Sequence, residues 1–116
     1  MLTESGFSRL LTVSRDNAGD TVVVSAAGEI DITSVGELRA ALADVVAAAE
    51  IPVIDLSAVH FMGSVGLSVL LELVEKVSPA RLRVVVSPEV RRPIEITELD
   101  KVVLLFDALE PALRHR

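Results

Sequence analysis

The sequence has no cysteine, tryptophan or tyrosine, and only three phenylalanines. Without cysteine there is no disulfide framework, no thiol nucleophile and no cysteine-held zinc or iron–sulfur centre, and His60 and His115 are the only soft metal ligands left. No metal or other cofactor is expected. Basic residues are also scarce: 11 Lys and Arg stand against 17 Asp and Glu, a net charge of −6. That balance opposes binding to a phosphate backbone or an anionic membrane surface, so direct nucleic-acid contact is not expected. No apolar run reaches the roughly 18 residues of a spanning helix, and membrane insertion is not expected either. The N-terminus has neither a basic lead nor a small-residue cleavage site, which makes the cytoplasm the expected location. No stretch has the composition of a linker, and no segment repeats. A chain of 116 residues, 51% hydrophobic, is then expected to be one domain over residues 1–116 with one core. With so few aromatics, that core must be made of Val, Leu, Ile and Ala, a composition suited to a parallel sheet flanked by helices.

Short β-rich runs at 9–15 (RLLTVSR) and 21–27 (TVVVSAA) are separated by Asp16-Asn17-Ala18-Gly19-Asp20, and predict an opening antiparallel hairpin. Leu38, Leu42, Val45, Val46 and Ala49 recur at helical spacing and predict a first helix over about 34–49. IPVIDL at 51–56 is nearly all apolar, as a strand buried on both faces in mid-sheet would be. From Ser64 to Val77 a stripe of Leu67, Leu70, Leu71, Val74 and Val77 predicts a second helix, with Glu72 and Lys76 as an exposed i,i+4 pair. A strand follows at 81–87 (RLRVVVS). Ser87-Pro88-Glu89 is a helix-start signature, but Pro93 predicts a third helix that kinks there or begins late. A strand at 102–106 (VVLLF) and a helix from about Asp107 complete the order β-β-α-β-α-β-α-β-α. The fold class is α/β: a mixed, mainly parallel sheet with an N-terminal antiparallel hairpin and about four helices.

In such sheets function gathers in loops beyond the carboxyl ends of the strands. Two loops qualify, Gly28–Thr33 and His60–Leu67. Ser64 stands where a helix N-cap belongs, and its hydroxyl can either cap the helix or accept a phosphate, which a helix N-terminus accommodates through its free N–H groups and dipole. Gly63 and Gly66 leave that hydroxyl uncrowded. Enzyme motifs fail on spacing. A nucleophile elbow needs Gly two residues on each side of the serine, and Met62 occupies one of those positions. A phosphate-binding Walker loop needs Lys and Ser or Thr after its second Gly, and neither follows Gly66. His60 could act as a base oriented by Asp31, but nothing supplies an oxyanion site. Gly63-Ser64-Val65-Gly66 has the outline of a nucleic-acid clamp without its basic residues. Asp31 and Glu29 are either solvated loop charges or a cap for the first helix shared with Thr33; the functional alternative places Asp31 beside Ser64 at adjacent strand ends, where it orients the hydroxyl or adds to the electrostatic contrast when phosphate arrives.

At these two loops the sequence resembles the STAS family, which includes bacterial anti-sigma factor antagonists and the cytoplasmic tails of sulphate transporters. The resemblance covers about residues 9–115. Its specific part is VIDLSAVHFMGSVGLSVLLEL, similar to the family pattern of a strand ending in Asp-Leu, a loop with an aromatic and a hydrophobic residue, and then Asp-Ser-Ser/Thr-Gly-Leu. GEID at 28–31 matches the family's Gly-Glu-Leu-Asp turn. The resemblance implies a non-enzymatic partner switch: Ser64 is the phosphorylatable serine, the unmodified chain binds an anti-sigma factor that is also a serine kinase and thereby frees a sigma factor, and a PP2C-type phosphatase reverses the modification. Gly63 replaces the family's Asp before the serine, and Val65 its Ser or Thr after it.

Val65, Ser68 and Val69 lie off the expected core stripe, and either leave apolar surface beside Ser64 for a partner to dock on or, in the case of Val69, face a neighbouring helix as extra core. The expected partner-binding residues are accordingly Asp31, Thr33, Gly63, Ser64, Val65, Gly66, Ser68 and Val69. Two readings stay open. One is the antagonist switched at Ser64; the other is a STAS subunit of a transport complex or signalling scaffold that docks constitutively, with Ser64 only a cap.

Overall fold

A computed structural model describes residues 10–115; Arg9 of the expected first strand and Arg116 of the tail lie outside the described residues. The described residues form one five-stranded sheet in the order β1-β2-β3-β4-β5, with β1 (Leu11–Ala18) antiparallel to β2 (Thr21–Ile30). β3 (Val53–Met62), β4 (Leu82–Val86) and β5 (Val103–Phe106) run parallel to β2. The helices among the described residues are α1 (Val35–Ala47), α2 (Ser64–Val77), α3 (Pro88–Ile96) and α4 (Leu109–Arg114), with a 3-10 turn at Leu99–Lys101 between α3 and β5. This is the expected α/β order, with β3 in mid-sheet.

The sheet has two unequal faces. Val22, Val24, Ala26, Ile54, Leu56, Val84 and Val86 point to the face covered by α1, α2 and α3, and form the main core with Leu38, Leu42, Val45, Leu70, Leu73, Val90 and Ile94. Val23, Val53 and Val85 point the other way and pack on α4, through Ala112, Leu109 and Leu113, together with Ala18 and Phe106. Alternation along each strand therefore serves two cores, and the central strands read as continuous apolar runs.

Several boundaries differ from expectation. The hairpin is tighter: Asp16, Asn17 and Ala18 pair with Val23, Val22 and Thr21, leaving Gly19-Asp20 as the turn, with Gly19 at a φ of +64°. β3 runs six residues beyond Leu56, because Ala58, Val59, Phe61 and Met62 pair with Ala27, Gly28, Glu29 and Ile30 of β2. α3 neither starts late nor breaks at Pro93. It begins at Pro88, with the Ser87 hydroxyl accepting the Val90 N–H at 3.2 Å and donating to the Val59 carbonyl. Pro93 lies only in the second turn and withholds one donor, from the carbonyl of exposed Glu89, while buried Val90 and Ile94 hold the helix to the sheet.

Candidate partner-binding site

Parallel pairing of β2 and β3 brings the two expected loops together. Ile30 and Met62 are register partners, and the Gly63 N–H donates to the Ile30 carbonyl at 2.9 Å, so the chain turns into α2 directly beside Asp31. Gly28 bends β2 at this end. Its φ is +118°, the Glu29 N–H donates to the Leu10 carbonyl at 2.7 Å, and a Cβ on Gly28 would stand 2.2 Å from that carbonyl oxygen. Only glycine fits there, which gives the first residue of the GEID turn a structural reason.

The loop after β2 is tied internally. The Asp31 carboxylate accepts the Thr33 N–H at 2.9 Å and the Thr33 hydroxyl at 2.6 Å, while the Asp31 carbonyl accepts the N–H groups of Ser34 and Val35. The Thr33 hydroxyl, then its N–H, hold the Asp31 carboxyl below its ordinary pKa. Asp31 is thus engaged with Thr33 and does not orient the Ser64 hydroxyl. Nor do Asp31 and Thr33 cap α1. Ser34 occupies the N-cap, and its buried hydroxyl turns back to donate to the Glu29 carbonyl at 2.8 Å and accept the Asp31 N–H at 3.0 Å.

Ser64 is one residue further into its helix than the sequence suggests. The N-cap is Gly63, which has no side chain to cap with, and Ser64 is the first helical residue, exposed to solvent. Its hydroxyl takes part in none of the hydrogen bonds between described residues. Beneath it, Gly66 is buried: a Cβ there would meet Met62 Cγ at 2.5 Å and Sδ at 2.9 Å, and Ile30 Cγ2 at 3.1 Å. Gly66 therefore lets α2 settle onto the ends of β2 and β3, and it offers no surface to a partner.

That close approach also sets the rotation of α2. Gly66, Val69, Leu70, Leu73 and Val77 are buried, whereas Leu71, expected in the core, is 46% exposed. Val69, expected on the docking face, is 2% exposed and belongs to the core. Nearly every residue type on two sides of this helix is apolar, so spacing alone allows either stripe; the glycine decides between them. Glu72 likewise pairs with Arg39 of α1 at 3.3 Å rather than with Lys76. Of the remaining expected residues, Thr33, Ser64 and Ser68 are exposed, and Asp31, Gly63 and Val65 are half-buried. Two apolar side chains that sequence reasoning passed over complete the surface: Ile32, 79% exposed between Asp31 and Thr33, and Phe61, 50% exposed, its ring 3.7 Å from where a Gly63 Cβ would be. A large apolar residue inside a loop already suspected of function was the available signal for both.

The model of the STAS domain matches residues 12–112, and the chain belongs to the STAS domain family. It is 42% identical over 106 residues to the anti-sigma-F factor antagonist RsfB of Mycobacterium tuberculosis, covering 89% of this chain and 87% of that one. Among solved structures, it is similar to the crystal structure of an anti-sigma factor antagonist from Mycobacterium paratuberculosis, with a TM-score of 0.83, 42% identity, and 89% and 91% of the two chains covered. The anti-sigma factor antagonist SpoIIAA in its unphosphorylated form shares the fold, with a TM-score of 0.70 at 22% identity over 88% of this chain and 92% of the other. Among the described residues no helix is long and apolar enough to cross a membrane.

Proposed function

We propose that this chain is an anti-sigma factor antagonist whose binding is switched by phosphorylation of Ser64. The unmodified chain engages an anti-sigma factor with serine kinase activity, which frees a sigma factor. Transfer of the γ-phosphoryl group of ATP to Ser64 Oγ, with loss of the hydroxyl proton and release of ADP, ends the complex, and a PP2C-type phosphatase hydrolyses the phosphate again. The chain acts in the cytoplasm as a binding module and brings no catalytic residue to any of these steps.

The observation that carries this reading is the placement of Ser64: an exposed, uncommitted hydroxyl on the first turn of α2, on a surface that also exposes Ile32 and Phe61. The 42% identity to RsfB supports the assignment to the antagonist branch of the family over a transport subunit. A phosphoserine adds roughly −1.5 to −2 charges, and the free N–H groups and dipole of the α2 N-terminus hold it without refolding. The effect then falls on the interface. A tenfold to hundredfold loss of affinity needs only about 1.4 to 2.8 kcal/mol, within what burial of a poorly paired dianion costs.

Titration of an anti-sigma factor from the source organism with Ser64→Ala and Ser64→Glu variants tests the switch. Binding is expected to survive the first change and to fall at least tenfold with the second. Equal binding by both would favour the constitutively docking STAS subunit.

A further inference from the structure

A cleft of about 1000 Å³ opens between α4 and the starts of β2, β3 and β4. Ile51, which lines it, precedes β3, whereas Ser64 follows that strand, so roughly 30 Å of extended chain separates the two places. The chain carries a net charge of −6, yet this cleft gathers Arg81, Arg83, Arg114 and His115, and exposed Asp20 is the one acidic residue among the described residues lining it. Arg114 is already paired with Glu110 at 3.3 Å. Arg81 and Arg83 form no ion pair with a described residue. Each is instead held by backbone carbonyls through a single nitrogen. Arg83 Nη1 donates to the carbonyls of Ala112 at 2.8 Å and His115 at 3.1 Å, and Arg81 Nη2 to those of Lys101 at 3.2 Å and Val103 at 3.1 Å. Those bonds fasten the end of α4 and the strand β5 with its preceding turn, and they use one corner of each planar fork. The other guanidinium nitrogens of both residues bond none of the described residues. Two positive charges therefore stand in one cleft with their orientation fixed and no carboxylate answering them. Ile51, 43% exposed, and half-buried Leu104 and Leu113 give the same cleft an apolar wall.

We propose that this cleft binds a small phosphomonoester, with its phosphate between Arg81 and Arg83 and its apolar or ring-bearing body along Ile51, Leu104 and Leu113. The two arginines lie two positions apart, the spacing that keeps side chains on one face of a strand, so one ligand group can meet both. A phosphomonoester brings roughly −1.5 to −2 charges near neutral pH, which matches two guanidinium groups better than a single carboxylate does, and the planar fork suits its oxygens. Backbone clamping of both side chains lowers the entropy lost on binding. The acidic remainder of the surface selects against a phosphate polymer, whose neighbouring charges would meet repulsion outside the cleft, and so points to a small molecule. Nothing in the site depends on the reading of Ser64.

Titrations of the full chain at neutral pH with inorganic phosphate, phenyl phosphate and benzoate test the site, read by calorimetry and by the NMR signals of the arginine Nε–Hε groups. Phenyl phosphate is expected to saturate, to shift the Arg81 and Arg83 signals before those of other arginines, and to bind at least threefold more tightly than inorganic phosphate. Arg81→Gln and Arg83→Gln should each weaken it at least tenfold, the scale of one charge-assisted hydrogen bond. Arg83 also fastens α4, so Arg81→Gln, which leaves the bonds to Ala112 and His115 intact, decides the matter if thermal melting shows the Arg83 variant to be unfolded. Arg92→Gln is the control: Arg92 is exposed on α3, away from the cleft, and affinity should stay within twofold. Ile51→Ser should erase the preference for phenyl phosphate over inorganic phosphate and leave binding of the latter in place. Shifts that do not saturate, or that Arg92→Gln reduces as much as Arg81→Gln does, would overturn the site as a general attraction of anions to surface arginines. Benzoate binding as tightly as phenyl phosphate would overturn the assignment of a phosphate, and no response to any of the three probes would overturn the proposal outright.

Discussion

The Gly63 N–H donates to the Ile30 carbonyl at 2.9 Å, and this one bond joins the end of β2 to the start of α2. It extends the β2–β3 ladder one step past the Ile30–Met62 pair and spends the N-cap donor on the neighbouring strand. Ser64 therefore enters the helix with its hydroxyl facing solvent, a step away from the loop that carries Asp31 and Ile32. Strand pairing, more than loop chemistry, brings the two halves of the site together.

The close seat of α2 gives the first prediction. Gly66→Ala places a methyl group against Met62 and Ile30, and overpacking of that kind costs about 1–3 kcal/mol, offset by up to ~1 kcal/mol of helix propensity. A net loss of about 1–2 kcal/mol in urea unfolding is expected. Gly28→Ala combines a positive φ with a backbone clash and should cost about 3 kcal/mol or more. A neutral Gly66→Ala would contradict the packing described for Met62.

Gly63 behaves differently. Its φ of −78° suits any residue, and a Cβ would make only ordinary contacts at 3.7 Å with the Ile30 carbonyl and the Phe61 ring. Gly63→Asp restores the acidic residue of the family pattern and adds a capping carboxylate. Stability should rise by a few tenths of a kcal/mol, and phosphorylation of Ser64 should be faster at equal kinase concentration. A destabilised variant would show that the space beside Phe61 is smaller than it looks.

The Ser34 hydroxyl holds the loop after β2 by bridging the Glu29 carbonyl and the Asp31 N–H. Ser34→Ala leaves both partners without it and should cost about 1–3 kcal/mol. Hydrogen exchange of the Asp31 amide should quicken by more than that of β2 amides nearer Thr21. Uniform quickening along β2 would assign Ser34 a global role instead.

Asp31 supplies a pH dependence. Its carboxyl is held below the ordinary value by Thr33, so the folded pKa is lower than the unfolded one. The stabilisation is therefore complete above the unfolded value and is lost as pH falls through the folded one. Carboxyl carbon NMR should show Asp31 titrating below the usual carboxylate range, and Thr33→Val should move it back up. An unchanged titration in Thr33→Val would remove the Thr33 hydroxyl as the main cause, since the backbone N–H of residue 33 is kept.

Much of the architecture was legible because it rests on local signals. Gly19-Asp20 marks the hairpin, IPVIDL has the apolar continuity of a central strand, and Ser87-Pro88 starts α3. What stayed hidden depends on contacts between distant segments. β3 continues to Met62 only because β2 is there to pair with it, and polar Ser57 and His60 disguise the extension. The rotation of α2 follows from Gly66 against Met62 and Ile30, which no periodicity in an almost wholly apolar helix encodes; hence Val69 and Leu71 exchanged places. At the site, Ser64 and Asp31 stood out by residue type, whereas Ser34 was invisible because its role is a buried bridge to backbone groups. Ile32 and Phe61 lay inside the two suspected loops, but only the pairing of β2 with β3 shows that their side chains are exposed.

Intact-mass analysis with peptide mapping tests the central claim most directly, after incubation of the chain with ATP and each anti-sigma-type serine kinase of its source organism. One added phosphate on Ser64, absent in Ser64→Ala, is the predicted result. A chain left unmodified by every such kinase, or modified equally when Ser64 is Ala, would contradict the account.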